Sequence, residues 1–547
     1  MGARRNSSES RSWLLERKDI LEKIKDQVRL YLGEESKDLR LYAGSYKRDI
    51  MRDWTASDLQ SVYSCLQQVQ VVFGGDFHPF SQAQRAHLRI MRKVVEDRPL
   101  VLALECLFVD QQSYVDQFLA GNISEKQFLR KVQWDSKWGF PWAHYRPFFD
   151  FARTHKLPLL GLNVHVEEKD ENLHIRDKFA AQALVHYHQR YPEALIYVVY
   201  GDLHIAENHL PKALKQAIRP VQPVLDMATL YLNSEHIYFS LAEEGREGKV
   251  EVVAYNDRQF CILSSPPWVK WQSYLMYLEE NFDADLDFED EDDDWDFRVD
   301  HTDHVSNLVR MICSSLEVHL RTDAIEVYSL QDPQVLKRAQ KLLKRHESKL
   351  AHQMVRCDSS FYVPSGGFFY LSKATVNHAA TLAGQFIHAQ LCNRSRVMWD
   401  FPQYFVHNIW IEAMGFFLSK MVNPKRKAQT MGDLKKQLQA FDKEDRGREP
   451  LLLALDQKMS ELLFVYATND KPSVCVPSDK SSYLLAAHFI GEMLGERYFL
   501  LFENQRIGIN EVRDLLSLPL DDTAFETFYY HELKRVDRLE IEGDSSI

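Results

Sequence analysis

The sequence predicts an α/β domain, a mainly parallel sheet flanked by helices, followed by a mostly α-helical C-terminal domain. Three observations carry this. Apolar β-type runs ending at Asp76, Glu105, Asn163 and Tyr200 are separated by segments of helix length, the alternation that builds parallel βαβ units. Two of those runs close alike, in Gly75-Asp76-Phe77-His78 and Gly201-Asp202-Leu203-His204. Beyond an acidic stretch at Asp283 to Asp300, the apolar residues recur mostly at helical spacing.

Taken in order, Ser12 to Leu32 carries apolar residues mostly three to four apart and reads as a helix. Thr55-Ala56-Ser57-Asp58 reads as the cap of a second helix through Leu66. The first strand, Val71 to Asp76, follows, then a helix over Ser81 to Val95 and a strand over Leu100 to Glu105. Val109 to Gln133 and Phe148 to His155 are helical, and Leu157 to Asn163 is the third strand. A helix over Asp177 to Arg190 leads into the strand Ala194 to Tyr200, with a fifth strand expected at Pro220 to Leu225. Lys249 to Tyr255 and Gln259 to Ser264 alternate as a hairpin at the sheet edge. In the second half, Pro333 to Val355, Ala374 to Leu391, Phe405 to Met421 and Ser481 to Arg497 are the clearest helices. Phe361 to Tyr370 reads as an aromatic hairpin. The chain thus divides into a helical N-terminal extension (1–68) packing on the core, an α/β domain (69–281), an acidic linker (282–300) and a helical domain (301–547) in which no chemistry is read.

Composition narrows the function. Hydrophobic residues make up 45% and charged residues 27% of the 547, as in soluble globular proteins. The net charge is −12, yet Asp283 to Asp300 alone holds 11 acids against one arginine. Without a basic surface, nucleic acid is excluded as a partner. No apolar run reaches the ~18 residues of a membrane span. Neither a secretory signal nor an anchoring cysteine stands near Met1, so a cytoplasmic location is expected. The seven cysteines are scattered without a Cys-x-x-Cys pair, which predicts reduced thiols.

The chemistry concentrates at the paired motifs. In extended backbone, residues i and i+2 face the same way, so Asp76 can share a face with His78, and Asp202 with His204. Parallel strands deliver such groups at their carboxyl ends, where open α/β sheets bind ligands. Imidazole and carboxylate together hold divalent metals, which assigns His78, Glu105 and His204 as metal ligands. Asp76 and Asp202 then serve as ligands, orienting groups or a general base. Arg85, about two turns along the following helix, is placed to meet an anionic group. Tyr145 and Tyr200 are candidate haem-iron ligands. Each motif alone also fits a turn glycine with a hydrogen-bonded histidine, and each tyrosine a core residue; it is the repetition of the motif around Glu105 that favours a site.

With these residues in hand, the chain resembles the superfamily of ChaN haem-binding proteins, Tiki metalloproteases, the TraB/PrgY group and erythromycin esterase-like hydrolases. The ChaN branch is the more similar, through Trp138-Gly139-Phe140-Pro141-Trp142, Tyr145-Arg146-Pro147 and Leu157 to Asn163, over about residues 69 to 225. The resemblance implies an α/β fold with its site at the strand ends, on Gly75, His78, Glu105, Gly201 and His204. Asp76 stands where the first motif of the family commonly has Glu. From ChaN it implies haem or iron handling, and from the other branches hydrolysis, metal-dependent in the Tiki case.

Three functions are therefore expected in this order: a haem- or iron-binding protein, a metal-dependent hydrolase acting on a small molecule or peptide, and a non-catalytic adaptor. The C-terminal helical domain is the expected surface for a protein partner.

Overall fold

The computed structural model describes residues 7–33, 35–165, 173–282, 301–322, 325–329, 335–357, 359–372, 375–441, 447–466, 477, 479–520 and 524–539. The acidic stretch expected to act as a linker lies outside them. The chain forms two compact units, Met1–Leu278 and Glu279–Ile547, with the boundary inside the helix Pro267–Phe282.

The first unit is built on one eight-stranded sheet. In chain order its strands are β1 (Thr55–Ser57), β2 (Val71–Asp76), β3 (Leu100–Phe108), β4 (Leu159–Asn163), β5 (Leu195–Gly201), β6 (Met227–Leu232), β7 (Val252–Asn256) and β8 (Gln259–Ile262). Across the sheet they stand in the order β1-β7-β8-β6-β2-β5-β3-β4. The six from β8 to β4 run parallel, and β7 and β1 close the edge antiparallel. β2, β3 and β5 are buried at every position, as a strand covered by helices on both faces must be, so their sequences read as continuous apolar runs. Val71, Phe73, Ile196 and Val198 pack on one face with Leu184, Leu210 and Leu214 of the helices Leu173–Arg190 and Leu210–Ile218. On the other face the helix Ser81–Asp97 lays His87 against Gly74. The chain leaves β2 toward the β4 edge and later returns past it to β6. The ends of β2 and β5 therefore lie where the strand order reverses, the ligand crevice of open α/β sheets.

Four local expectations are corrected. Thr55 to Ser57 is not a helix cap but β1, paired with β7; the cap of Leu59–Leu66 is Asp58, which accepts from the Ser61 N–H at 2.7 Å. A helix at Lys37–Ile50 precedes it, its apolar positions diluted by charge. The fifth parallel strand is Met227–Leu232 rather than Pro220 to Leu225, where Pro220 and Pro223 would each remove a ladder donor. β3 runs on to Phe108, and its register with β4 shifts between Leu104 and Phe108, so Glu105 sits at an irregularity within the strand.

The second unit is mostly helical. The helices Val376–Leu391, Phe405–Val422 and Ser481–Glu503 form its centre. Gly384 and Gly415 let the first two approach closely: a Cβ on Gly384 would lie 2.8 Å from the Gly415 carbonyl oxygen. The expected aromatic hairpin is β10 (Phe361–Val363) and β11 (Phe368–Leu371), joined in parallel by β9 (Glu326–Ser329). The expected helix over Pro333 to Val355 is two, Val335–Leu342 and Arg345–Arg356. Among the described residues Cys65, Cys106, Cys313, Cys357 and Cys392 are free thiols, and no helix is long and apolar enough to cross a membrane.

Candidate functional site

β2, β5 and β3 are neighbours, and their carboxyl ends bring His78, Glu105 and Gly201 together. A Cβ on Gly201 would lie 3.3 Å from both Glu105 Oε2 and His78 Nε2, and 3.5 Å from the His204 ring. The Gly201 N–H donates to Glu105 Oε2 at 2.6 Å, fixing the carboxylate, and His78 Nε2 stands 3.8 Å from the same oxygen.

Each histidine is held by a carboxylate at its other nitrogen. Asp76 Oδ2 lies 3.0 Å from His78 Nδ1; β2 ends at Asp76 and His78 stands in the turn that follows, so the turn rather than the expected extended backbone brings the two together. Asp76 is itself fixed, with the Tyr145 hydroxyl donating to it at 2.8 Å and the Gln84 amide donating to its other oxygen. His204 differs from expectation. Asp202 to Ile205 forms a single 3₁₀ turn, so Asp202 and His204 do not share a face. Asp202 instead meets Lys270 Nζ at 3.1 Å, beneath the Phe77 ring. The partner of His204 is Asp177, 2.8 Å from Nδ1, with the Tyr42 hydroxyl 2.7 Å from the same nitrogen and donating to Asp177 at 2.8 Å. This bonding places a proton on Nδ1 of both imidazoles, so that in the neutral ring Nε2 is the acceptor.

The electrostatics follow from burial and these carboxylates. Burial opposes the charged form of His78, but the hydrogen bond and charge of Asp76, with Glu105 and Asp202, outweigh it and raise the pKa above the ordinary value. Burial, then the negative charge of Asp76, pushes the Tyr145 phenol far up, so it remains a donor. Tyr200 is raised by burial and by Glu105, and its hydroxyl has no hydrogen-bond partner among the described residues. Arg85 is exposed, and its charge adds to the burial that lowers the pKa of His144, whose ring donates to the His78 carbonyl at 3.3 Å.

His78 is 22% exposed, the part of the cluster open to a ligand. Its ring packs against the half-buried Trp138 at 4.7 Å and Phe140 at 4.9 Å, and Phe140 stacks in turn on Tyr277 at 5.0 Å. The structure thus gathers Asp76, His78, Glu105 and, through Gly201, His204, with Asp202 tied to Lys270 and Arg85 on the exterior. Sequence reading missed Tyr42, Gln84, His87, Asp177 and Lys270. Each lies on another element, and no local spacing marks it.

Residues 62–171 match the family model described as haem-binding uptake, Tiki superfamily, ChaN. The match spans His78, Glu105 and the Trp138 to Tyr145 segment, and the resemblance read from those motifs is recovered there. A solved structure described as cofacial haem binding to ChaN of Campylobacter jejuni is similar at 14% identity over 32% of this chain and 87% of that one, with a TM-score of 0.25. A search of curated proteins finds no match.

Proposed function

We propose that the α/β unit binds haem at the carboxyl ends of β2, β5 and β3, with His78 as the group offered to iron. The observation that carries this is the partly exposed His78 imidazole, set among Trp138 and Phe140 inside the segment that matches the ChaN family model. The donor set fits the group. Haem supplies a planar apolar face and an iron that takes axial ligands. Aromatic rings suit the first, and an imidazole with Nε2 unprotonated suits the second. Asp76 holds the Nδ1 proton of His78 and so fixes the tautomer and ring orientation. Tyr145 and Gln84 in turn hold Asp76. A tyrosine binds iron as its phenolate, and burial opposes that form at both Tyr145 and Tyr200; in this reading Tyr145 positions Asp76 rather than touching iron. Arg85 on the exterior offers a cation to the carboxylates of the ligand.

The test is a haem titration followed by the Soret band, on the whole chain and its His78→Ala, Trp138→Ala and Tyr145→Phe variants. Saturable binding that weakens about tenfold or more in His78→Ala, yet survives in Tyr145→Phe, is expected. No saturable binding by the unaltered chain would end the proposal.

A second reading, metal-dependent hydrolysis, rests on the 3.8 Å between His78 Nε2 and Glu105 Oε2, which one divalent ion can span with bonds of about 2.0–2.2 Å. Asp76 or Asp202 would then act on a bound water. A stoichiometric metal lost in Glu105→Gln, together with absence of haem binding, favours this reading.

A further inference from the structure

The second unit contains a grouping unrelated to the strand-end site. His301 precedes the helix Thr302–Leu316, and His304 lies on its first turn, three residues on, a spacing that puts two side chains on one helix face. Glu279 comes to them from the last turns of the helix Pro267–Phe282. Its Oε2 is in hydrogen-bond contact with His304 Nε2 and stands 4.0 Å from His301 Nδ1. One ligand atom from each residue lies within 4.8 Å of the others, the single such triad of His, Cys, Asp or Glu among the described residues. The imidazoles are only 1% and 2% exposed, and the carboxylate side chain 17%.

We propose that Glu279, His301 and His304 form a binding site for a divalent transition-metal ion of the zinc class. Two imidazoles and a carboxylate are a donor set such ions take, with bonds of about 2.0–2.2 Å. Donors arranged tetrahedrally at that radius stand about 3.3 Å apart. Two of the present separations bracket that value, so small side-chain rotations bring the atoms onto one ion. The fourth position is left to water or to another ligand. Glu279 Oε2 is thus faced by two buried imidazoles, one in hydrogen-bond contact and one 4.0 Å away. The ligands also bracket, in sequence, the eleven acids of Asp283 to Asp300, whose charge raises the local concentration of cations. An ion here joins residues 279 and 301 across that stretch. Its binding free energy would therefore add to the stability of the second unit.

The experiment uses the full chain, stripped with chelator and dialysed against Zn²⁺, with metal content measured by elemental analysis and Co²⁺ substitution followed by visible absorption. The unaltered chain, Glu279→Gln, His301→Asn, His304→Asn and the strand-end double variant His78→Ala/His204→Ala are compared, with far-UV circular dichroism confirming folding. One equivalent of Zn²⁺, and intense d–d bands of four-coordinate Co²⁺, are expected in the unaltered chain and in the strand-end double variant. The three site variants should bind at least about tenfold more weakly. Glu279→Gln can still hydrogen-bond His304, so a folded variant remains available. Failure of the unaltered chain to bind Zn²⁺ would overturn the proposal, as would binding that survives in folded Glu279→Gln and His301→Asn. Loss confined to His78→Ala/His204→Ala would also overturn it, by assigning the ion to the strand ends.

Discussion

Asp177 Oδ1 lies 2.8 Å from Nδ1 of His204, close to the 3.0 Å between Asp76 and Nδ1 of His78. The two histidines that close the paired motifs are therefore held in the same way by carboxylates of different origin. One stands two residues before its histidine, at the end of β2, the other on the helix Leu173–Arg190. Each carboxylate also accepts from a tyrosine hydroxyl, Tyr145 for Asp76 and Tyr42 for Asp177. The result is two fixed imidazoles, with their Nε2 atoms left to the strand-end crevice.

That arrangement predicts unequal effects of two matched variants. Asp76→Asn keeps the shape of the side chain and removes the charge that holds the Nδ1 proton of the exposed histidine. Losing such a partner weakens a ligand by about 10–100-fold. Haem affinity read from Soret titrations should fall accordingly. Asp177→Asn acts on His204, which is 7% exposed, and should change the affinity less. Equal effects of the two variants, or none from Asp76→Asn, would remove Asp76 from the site.

The glycine just before the first motif predicts a packing cost. A Cβ on Gly74 would stand 2.5 Å from the ring of His87, which is fully buried and bonded to the Gly75 carbonyl oxygen at 2.8 Å and the Tyr197 hydroxyl at 2.9 Å. The ring has no room to retreat without breaking those bonds. Overpacking of this kind costs about 1–3 kcal/mol. Gly74→Ala should lower the free energy of unfolding of the first unit, read from denaturant titrations, by that amount, and Gly121→Ala, with open space at its Cβ but a φ of +75°, serves as the contrasting case of backbone strain. A Gly74→Ala variant of unchanged stability would show that the helix Ser81–Asp97 can shift.

The parts of the fold visible in the sequence are those set by burial on both faces. β2, β3 and β5 announce themselves as apolar runs because helices cover both faces of the sheet, and the carboxylates Asp76 and Glu105 stand out within them. His78 and Glu105 followed from their place at those strands. The partnership of Asp202 with His204 was misread because strand periodicity was carried past Gly201, where the backbone turns into a 3₁₀ helix. Tyr42, Asp177 and Lys270 were not visible because they reach the site through space, from helices whose own periodicity says only that one face is buried. The triad of Glu279, His301 and His304 was hidden for the same reason: Glu279 stands 22 residues from His301 in the sequence, on the far side of the acidic stretch.

The second unit holds a pH-sensitive contact. His488 Nδ1 lies 2.9 Å from Glu412 Oε2, and its Nε2 3.5 Å from Glu492 Oε1. Burial disfavours the charged imidazole, but Glu492 and Glu412 outweigh it, and Arg426 only partly offsets them, so the pKa is raised to about 9. An unfolded histidine titrates at about 6.5. Because the folded pKa is the higher one, the stabilisation is fully present below pH ~6.5 and is lost as pH rises through about 9. The side chain is 39% exposed, so solvent screening keeps the effect modest. The measurement is the difference in Tm between the unaltered chain and His488→Gln, taken from about pH 6 to pH 10, which cancels the other groups that titrate over that range. The unaltered chain should be the more stable at the acid end, and the gap should close toward the alkaline end. A gap that does not change with pH would mean that His488 has the same pKa folded and unfolded, and that Glu412 and Glu492 are held by Gln385 and Arg426 instead.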